Sequence, residues 1–256
     1  MKVLLLNPRI SAEIHYGAYQ EVGSYLPPYG ILSIAAVLEQ QGYVVRILDA
    51  DSRKGLTLAE LEAEIRRLNP EVIGMTCYSI GRQGLIETSG FIRRISSARQ
   101  VVGGPHVTAF PEDLCQHETI DLCVYGEGEL TKLDIVERYA AKKPLTGIAG
   151  TVYQENGTIL KVPPRELITD LDTLPYPAYH LLDNLTDYRP MQLIYKRRPV
   201  LTLISGRGCP FHCIFCSNIW GNRVRLNSAN YIIGLIKKMI KEFGLERLCS
   251  MRIVLP

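Results

Sequence analysis

Cys209, Cys213 and Cys216 stand within eight residues, in the run Cys209-Pro210-Phe211-His212-Cys213-Ile214-Phe215-Cys216. Thiols at spacings of four and three can be wrapped by one loop around a single metal centre. A structural zinc site is normally closed by four protein ligands, and a ferredoxin-type iron–sulfur cluster takes four cysteines. Three ligands would leave one iron of a cubane open to a small molecule. His212 could serve as a fourth zinc donor only by straining past its neighbour Cys213, and buried thiols without any metal are the remaining alternative. The other cysteines, Cys77, Cys115, Cys123 and Cys249, are scattered.

The chain that must position this loop has 256 residues, 46% hydrophobic and 21% charged, with mean hydropathy near zero. That is the profile of a soluble globular protein. The apolar run Ile31–Leu38 is far short of the roughly 20 residues of a membrane span. Lys2 and four apolar residues before Asn7 are too short for a secretory signal. A cytoplasmic location is expected, where thiols stay reduced and metal binding or burial explains them better than disulfides. Charge is uneven: residues 189–256 hold 12 Lys and Arg against 2 Asp and Glu, while residues 1–188 hold 17 against 24. The basic end suits an anionic partner, but it lacks the aromatic interleaving of a single-strand nucleic-acid binder, and no nucleic acid is expected.

Residues 1–141 alternate short apolar runs with helical patterns, the signature of a doubly wound parallel sheet. Strands are expected at Lys2–Leu6, Val44–Leu48, Glu71–Thr76, Arg99–Val102 and Asp121–Tyr125. Helices are expected from Pro27-Pro28 through Ile31–Leu38 to Gly42, at Thr57–Leu68, near Leu85–Ile95 and at Glu129–Ala140. The flavodoxin-like order 2-1-3-4-5 places ligands beyond the carboxyl ends of the strands. The connection from Asn7 to Pro28 takes about 20 residues where roughly 2 to 6 is usual, so it is expected to cover something. Residues 148–162 read as a hairpin turning at Asn156-Gly157, and Pro163 to Pro177 as a stiff, proline-punctuated linker. Then come a strand at Pro199–Ser205, the cysteine loop, and a helix capped by Ser228 that turns Tyr231, Ile232, Leu235, Ile236, Met239 and Phe243 to one face. Met251–Leu255 could add a strand. The expected units are residues 1–145, a hairpin and linker over 146–190, and a second domain over 191–256.

Gly206-Arg207-Gly208 followed by Cys-x3-Cys-x-aromatic-Cys, behind a strand, resembles the signature of radical S-adenosylmethionine enzymes. The resemblance implies that Cys209, Cys213 and Cys216 hold a 4Fe-4S cluster, that S-adenosylmethionine chelates the open iron, and that Phe215 packs beside its adenine. Upstream, Leu26-Pro27-Pro28-Tyr29-Gly30-Ile31-Leu32, Gly103-Gly104-Pro105-His106, Tyr125-Gly126-Glu127-Gly128-Glu129, and Pro163 to Asp172 with Leu174-Pro175-Tyr176-Pro177 are similar to the subgroup that carries a cobalamin-binding domain. That likeness implies a corrin over the carboxyl edge of the sheet, its nucleotide tail between strands, lined by the loops Asn7–Pro28, Thr76–Gly81, Gly103–His106 and Gly126–Glu129. The implied contacts are Asn7, Thr76, Ser79, Gly103, Gly104, Pro105, His106, Gly126 and Glu127. Taken alone, Gly103-Gly104 is a tight turn, Glu127 and Glu129 complement a helix amino terminus, and His15 and His106 are lone histidines. The Asp-x-His-x-x-Gly motif that supplies cobalt with a histidine in other cobalamin proteins is absent, as it generally is in this subgroup.

The function so implied is that of a cobalamin-dependent radical S-adenosylmethionine enzyme. It would functionalise an unactivated carbon of a small-molecule substrate, by methyl transfer or by oxidation like that of the anaerobic magnesium-protoporphyrin monomethyl ester cyclases. Its electrons would come from a donor such as flavodoxin or ferredoxin. The alternatives are a methylthiotransferase-like enzyme with a second cluster on Cys77, Cys115 and Cys123, and a non-catalytic cofactor- or zinc-binding fragment. A partial barrel of about six βα units, at roughly 30 residues or more per βαβ unit, needs far more chain than the 58 residues from Pro199 onward. A truncated barrel is therefore expected, with uncovered apolar faces and poor stability over 199–256. The catalytic residues and the substrate are not legible.

Overall fold

The computed structural model describes residues 1–10, 25–52, 55–188, 200–244 and 247–250. Its centre is a seven-stranded sheet in the order β2-β1-β3-β4-β5-β6-β7. Strands β1 (Lys2–Asn7), β2 (Val44–Asp49), β3 (Val72–Thr76), β4 (Arg99–Gly103) and β5 (Leu122–Val124) are parallel, in the order expected. β1 is buried from Val3 to Asn7 because both of its faces are covered, which is why its sequence is apolar without alternation. Val3 and Leu5 point to one core, and Leu4 and Leu6 to the other.

Helices α1 (Tyr29–Gln40) and α5 (Glu129–Ala140) lie on the first of these faces, and α2 (Leu58–Leu68) and α3 (Arg82–Ile95) on the second. α2 opens with a capping box between Thr57 and Glu60 and stops at Asn69, which takes a left-handed conformation before Pro70. Between β4 and β5 there are a short helix, α4 (Pro105–Ala109), and a 3-10 turn at Leu114–Gln116 in place of a full-length helix.

The hairpin expected at 148–162 is present as β6 (Thr151–Glu155) and β7 (Thr158–Lys161), with positive φ at both Asn156 and Gly157. It does not stand apart. β6 pairs antiparallel with β5 and so extends the parallel sheet, satisfying the edge that five strands would leave open. The proline-punctuated stretch also differs from a free linker: Ala178, Tyr179, Leu182 and Tyr188 are buried in the same core as Ile31, Leu32 and Leu38. The cause lies in α1, which is apolar nearly all round and needs cover on the side away from the sheet.

Beyond it, β8 (Val200–Leu203) and β11 (Arg247–Ser250) pair in parallel across α6 (Ala229–Phe243), a βαβ unit. The second strand therefore forms at 247–250; the expected strand at Met251–Leu255 falls outside the described residues. Ser228 caps α6 by accepting from the Tyr231 N–H, as expected, and Gly244 ends it at φ 60°. The apolar face of α6 is not left open among the described residues, since Leu235 and Met239 are buried with Tyr179 in the core around α1. Ile233 and Ile240 stay about half exposed.

Candidate functional site

The cysteine loop hangs from a two-residue antiparallel ladder, β9 (Gly206–Arg207) with β10 (Arg225–Leu226). Gly208 has φ 87°, and a Cβ there would collide with the Arg223 carbonyl, so only glycine turns the chain at this neck. The Cys209 N–H donates to Gly221 O at 3.1 Å, and the Cys216 N–H donates to Cys213 O at 3.0 Å. Cys209 is half-buried, while Cys213 and Cys216 are exposed. Phe211, Ile214 and Phe215 also face solvent, Phe215 with 89% of its surface open. The three sulfurs are not drawn together: among the described residues no group of three or more His, Cys, Asp or Glu is placed to hold a metal ion. His212 is no fourth ligand in this arrangement, since its Nδ1 lies 3.1 Å from Asn222 Nδ2.

The neck is bolted to the carboxyl end of β5. Arg207 and Arg225 oppose each other in the ladder, a pairing of like charges that is destabilising unless compensated. Arg207 Nη1 lies 3.1 Å from Glu127 Oε1 and its Nη2 lies 2.6 Å from Glu129 Oε1. Arg225 Nη1 lies 2.9 Å from the same Glu127 Oε1 and donates to Ile168 O at 2.7 Å. Glu127 Oε2 also accepts the Ile168 N–H at 2.9 Å. All four side chains are buried. Burial by itself would raise the Glu129 pKa, but the adjacent Arg207 overrides it and holds the carboxyl below its ordinary value. Burial likewise opposes the charge on Arg207, and Glu129 and Glu127 outweigh it. The two glutamates, expected as helix-terminus complements and Glu127 also as a cofactor contact, are thus spent on arginines 78 to 98 residues away.

Asn7, Thr76, Ser79, Gly103, Gly104, Pro105, His106 and Gly126 all gather along one edge, at the carboxyl ends of β1, β3, β4 and β5. Asn7 Nδ2 donates to Asp49 Oδ1 at 2.8 Å, and the Tyr188 hydroxyl donates to Asp49 Oδ2 at 2.8 Å. Burial pushes the Asp49 carboxyl up to about 6, against the pull of those hydrogen bonds. Gly104, at φ 102°, has no room for a side chain, since a Cβ would lie 2.6 Å from Thr76 Oγ1 and 2.9 Å from Cys77 N. Gly126, at φ 78°, has open space above it.

His106 is buried and uses both ring nitrogens. Nδ1 meets Ser79 Oγ at 3.0 Å and Nε2 meets Asp113 Oδ2 at 2.9 Å. Arg82 grips Asp113 with two bonds, of 2.5 and 3.0 Å. Led by Arg82, these contacts pull the Asp113 carboxyl down to about 2, burial opposing. An ionised carboxylate only accepts, so Nε2 of a neutral ring carries the proton and Nδ1 accepts the Ser79 O–H. The Ser79 hydroxyl, exposed at the edge, then offers its free lone pairs to a donor on a ligand. His15 and the middle of the Asn7–Pro28 connection lie outside the described residues.

Cys77, Cys115 and Cys123 share one core cluster. Cys115 Sγ donates to Val152 O at 3.0 Å. Burial pushes the Cys77 thiol up to about 12, and Cys123 is raised by its hydrogen bond with Cys115 and by burial. The three are buried in that core and, among the described residues, are not placed together as a metal-holding group, so the structure gives no support to a second cluster there.

The comparisons with known proteins meet this geometry. Residues 18–136 match the model of the B12 binding domain family. An uncharacterized methyltransferase of Pyrococcus horikoshii is 32% identical over 254 residues, which is 97% of this chain and 52% of that protein. The anaerobic magnesium-protoporphyrin IX monomethyl ester cyclase of Cereibacter sphaeroides is 26% identical over 95% of this chain and 39% of its own length. Over nearly its whole length the chain is thus similar to a methyltransferase and to an anaerobic cyclase, and over residues 18–136 to B12 binding domains. In fold it is similar to the radical S-adenosylmethionine methyltransferase TsrM of Kitasatospora setae, solved with cobalamin and a [4Fe-4S] cluster bound. The TM-score is 0.72 at 19% identity, over 98% of this chain and 47% of that one. The chain spans about half the length of the curated relatives it matches. No helix among the described residues is long and apolar enough to cross a membrane.

Sequence reading passed over Arg207 and Arg225 as functional residues. The signal available was the basic surplus after residue 188, part of which the structure spends on Glu127 and Glu129.

Proposed function

We propose that this chain carries the cobalamin domain and the cluster loop of a radical S-adenosylmethionine enzyme that functionalises an unactivated carbon of a small molecule, by methyl transfer or cyclase-like oxidation. One observation carries the reading: Arg207, two residues before Cys209, is held by Glu127 and Glu129 just past the end of β5. The cysteine loop is thereby suspended beside the edge where a doubly wound sheet takes its ligand.

The residues present fit the groups by their chemistry. Three thiols on one loop, two of them exposed, suit a cluster with an open iron, and the exposed Phe211, Ile214 and Phe215 are apolar side chains that could shield it. Cys209, Cys213 and Cys216 would hold the cluster, losing their protons as they bind, and Phe215 would flank the adenine. Asn7, Thr76, Ser79, Gly103, Gly104, Pro105, His106 and Gly126 would line the corrin, with Glu127 acting through Arg207. When bound, the cluster supplies the electron that cleaves S-adenosylmethionine, and cobalamin supplies a carrier for a methyl group. The arginine–glutamate bolt orients the loop, and the apolar side chains exclude water from it.

The same reading takes residues 1–145 as the cobalamin unit, 146–190 as the hairpin and proline-rich connection, and 191–256 as the cluster-bearing unit. An external flavodoxin or ferredoxin would deliver electrons in the cytoplasm, with no role for nucleic acid.

Anaerobic reconstitution with iron, sulfide and hydroxocobalamin tests this. The expected result is about four irons per chain, rather than about eight, an EPR signal that S-adenosylmethionine perturbs, and a corrin spectrum altered by binding. Cys213→Ala should lose the EPR signal and keep the corrin. Zinc alone in the loop, or a cluster indifferent to S-adenosylmethionine, would overturn the proposal.

A further inference from the structure

Lys132 stands on the sheet-facing side of α5, 4% exposed, and its Nζ has no hydrogen-bond partner. The amine lies over Gly74 in the middle of β3, where a Cβ would come within 2.8 Å of Nζ and 3.0 Å of Cε. Glycine weakens the interior of a strand and often marks a close approach; here it makes the room the lysine fills. The acids nearest in sequence on α5 are engaged elsewhere, Glu129 with Arg207, and Asp134 with Arg138 and Arg165. Burial alone brings the Lys132 pKa down to about 7.

A buried amine without a partner is costly, and a methionine would fill the same volume without that cost. An orphaned cation is accounted for when its counter-ion arrives with a ligand. Gly74 lies two residues below Thr76, the last residue of β3, so a group entering from the carboxyl edge descends about 7 Å to reach the amine. On this face the path runs past Thr76 and its ladder partner Gly103, both small. The peripheral substituents of cobalamin are neutral amides except for one anion, the phosphodiester of its nucleotide arm.

Resting on the cobalamin reading above, we infer that Lys132 is the counter-ion of the cobalamin phosphodiester, which would enter along the small residues Thr76 and Gly103 and displace the packing of Lys132 and Leu5 over Gly74.

The test compares two probes, hydroxocobalamin and dicyanocobinamide, a corrinoid without phosphodiester, ribose or base, by equilibrium titration against the full chain. Lys132→Met should weaken cobalamin about tenfold to a hundredfold, the worth of a charge-assisted hydrogen bond. It should leave cobinamide unchanged and the Tm of the free chain equal or higher, while Lys132→Arg should retain most of the cobalamin affinity. Should the methionine variant fail to fold, Lys132→Gln serves with the same expectation. Equal loss of both probes, or no loss of either, overturns the role of Lys132 while leaving the cobalamin site standing. A wild-type chain that binds neither probe overturns the cobalamin reading itself, and the inference with it.

Discussion

Arg207 and Arg225 face each other across the ladder at the neck of the cysteine loop, and one carboxylate, Glu127, binds both guanidinium groups. Removing one member of such a buried set leaves the others uncompensated, which is far more damaging than replacing the whole set by apolar residues. Glu127→Gln should therefore destabilise the chain by about 3–5 kcal/mol, seen as a lower midpoint in urea unfolding. In reconstituted protein it should also broaden the cluster EPR signal, because the loop loses its fixed attachment. An unfolding midpoint within error of the wild type would remove the assigned role.

Asp49 makes stability depend on pH in a direction opposite to that of most carboxylates. The folded state keeps the Asp49 proton up to about pH 6, whereas an unperturbed carboxyl releases it near 3.8. The native state binds more protons between those values, so stability falls as pH rises through them, by about 3 kcal/mol. Asp49→Asn keeps an acceptor for the Asn7 amide and a group that can pair with the Tyr188 hydroxyl. It should be more stable than the wild type at pH 7.5 and equal to it near pH 4, as checked by urea titrations at both values.

The chain of Ser79, His106, Asp113 and Arg82 separates structural from binding roles. Ser79 is exposed, but Ser79→Ala leaves Nδ1 of the buried His106 without its donor, so it should cost about 1 kcal/mol and weaken hydroxocobalamin in an absorbance titration. His106→Ala removes a buried, doubly bonded ring and should cost about 1–3 kcal/mol as well as weakening the corrinoid. Undiminished corrinoid affinity in Ser79→Ala would take Ser79 out of the site.

Thiol labelling tests the division of the cysteines. In native protein without metal, iodoacetamide at pH 8 should modify Cys213 and Cys216 first. Cys77, Cys115 and Cys123 should react only on unfolding, because they are buried and the Cys77 thiol is held up to about 12. Peptide mapping by mass spectrometry reads the order. Replacing Cys77, Cys115 and Cys123 together by alanine should leave the iron content of reconstituted protein unchanged.

Much of this was legible without coordinates. The five parallel strands and their order follow from apolar runs spaced by helical patterns, and the hairpin turn from Asn156-Gly157. The seven-stranded extent of the sheet was not legible, since nothing in Thr151–Glu155 says that its partner is β5 rather than a strand further on. Nor was the burial of Tyr179 and Tyr188, because a proline-rich stretch reads as a spacer until the apolar back of α1 is seen to need covering.

By itself, the sequence determined what acts within a few residues: the cysteine spacing and the chemistry of an incomplete ligand set, the caps of α2 and α6, and the strand and helix periods. Only the tertiary structure decided which charges meet. Glu127 lies 80 residues from Arg207 and 98 from Arg225, and Lys132 reaches Gly74 across the space between a helix and the sheet. Local patterns carry no information about such pairings, because electrostatic and steric complementarity act through space and depend on which surfaces the fold brings face to face.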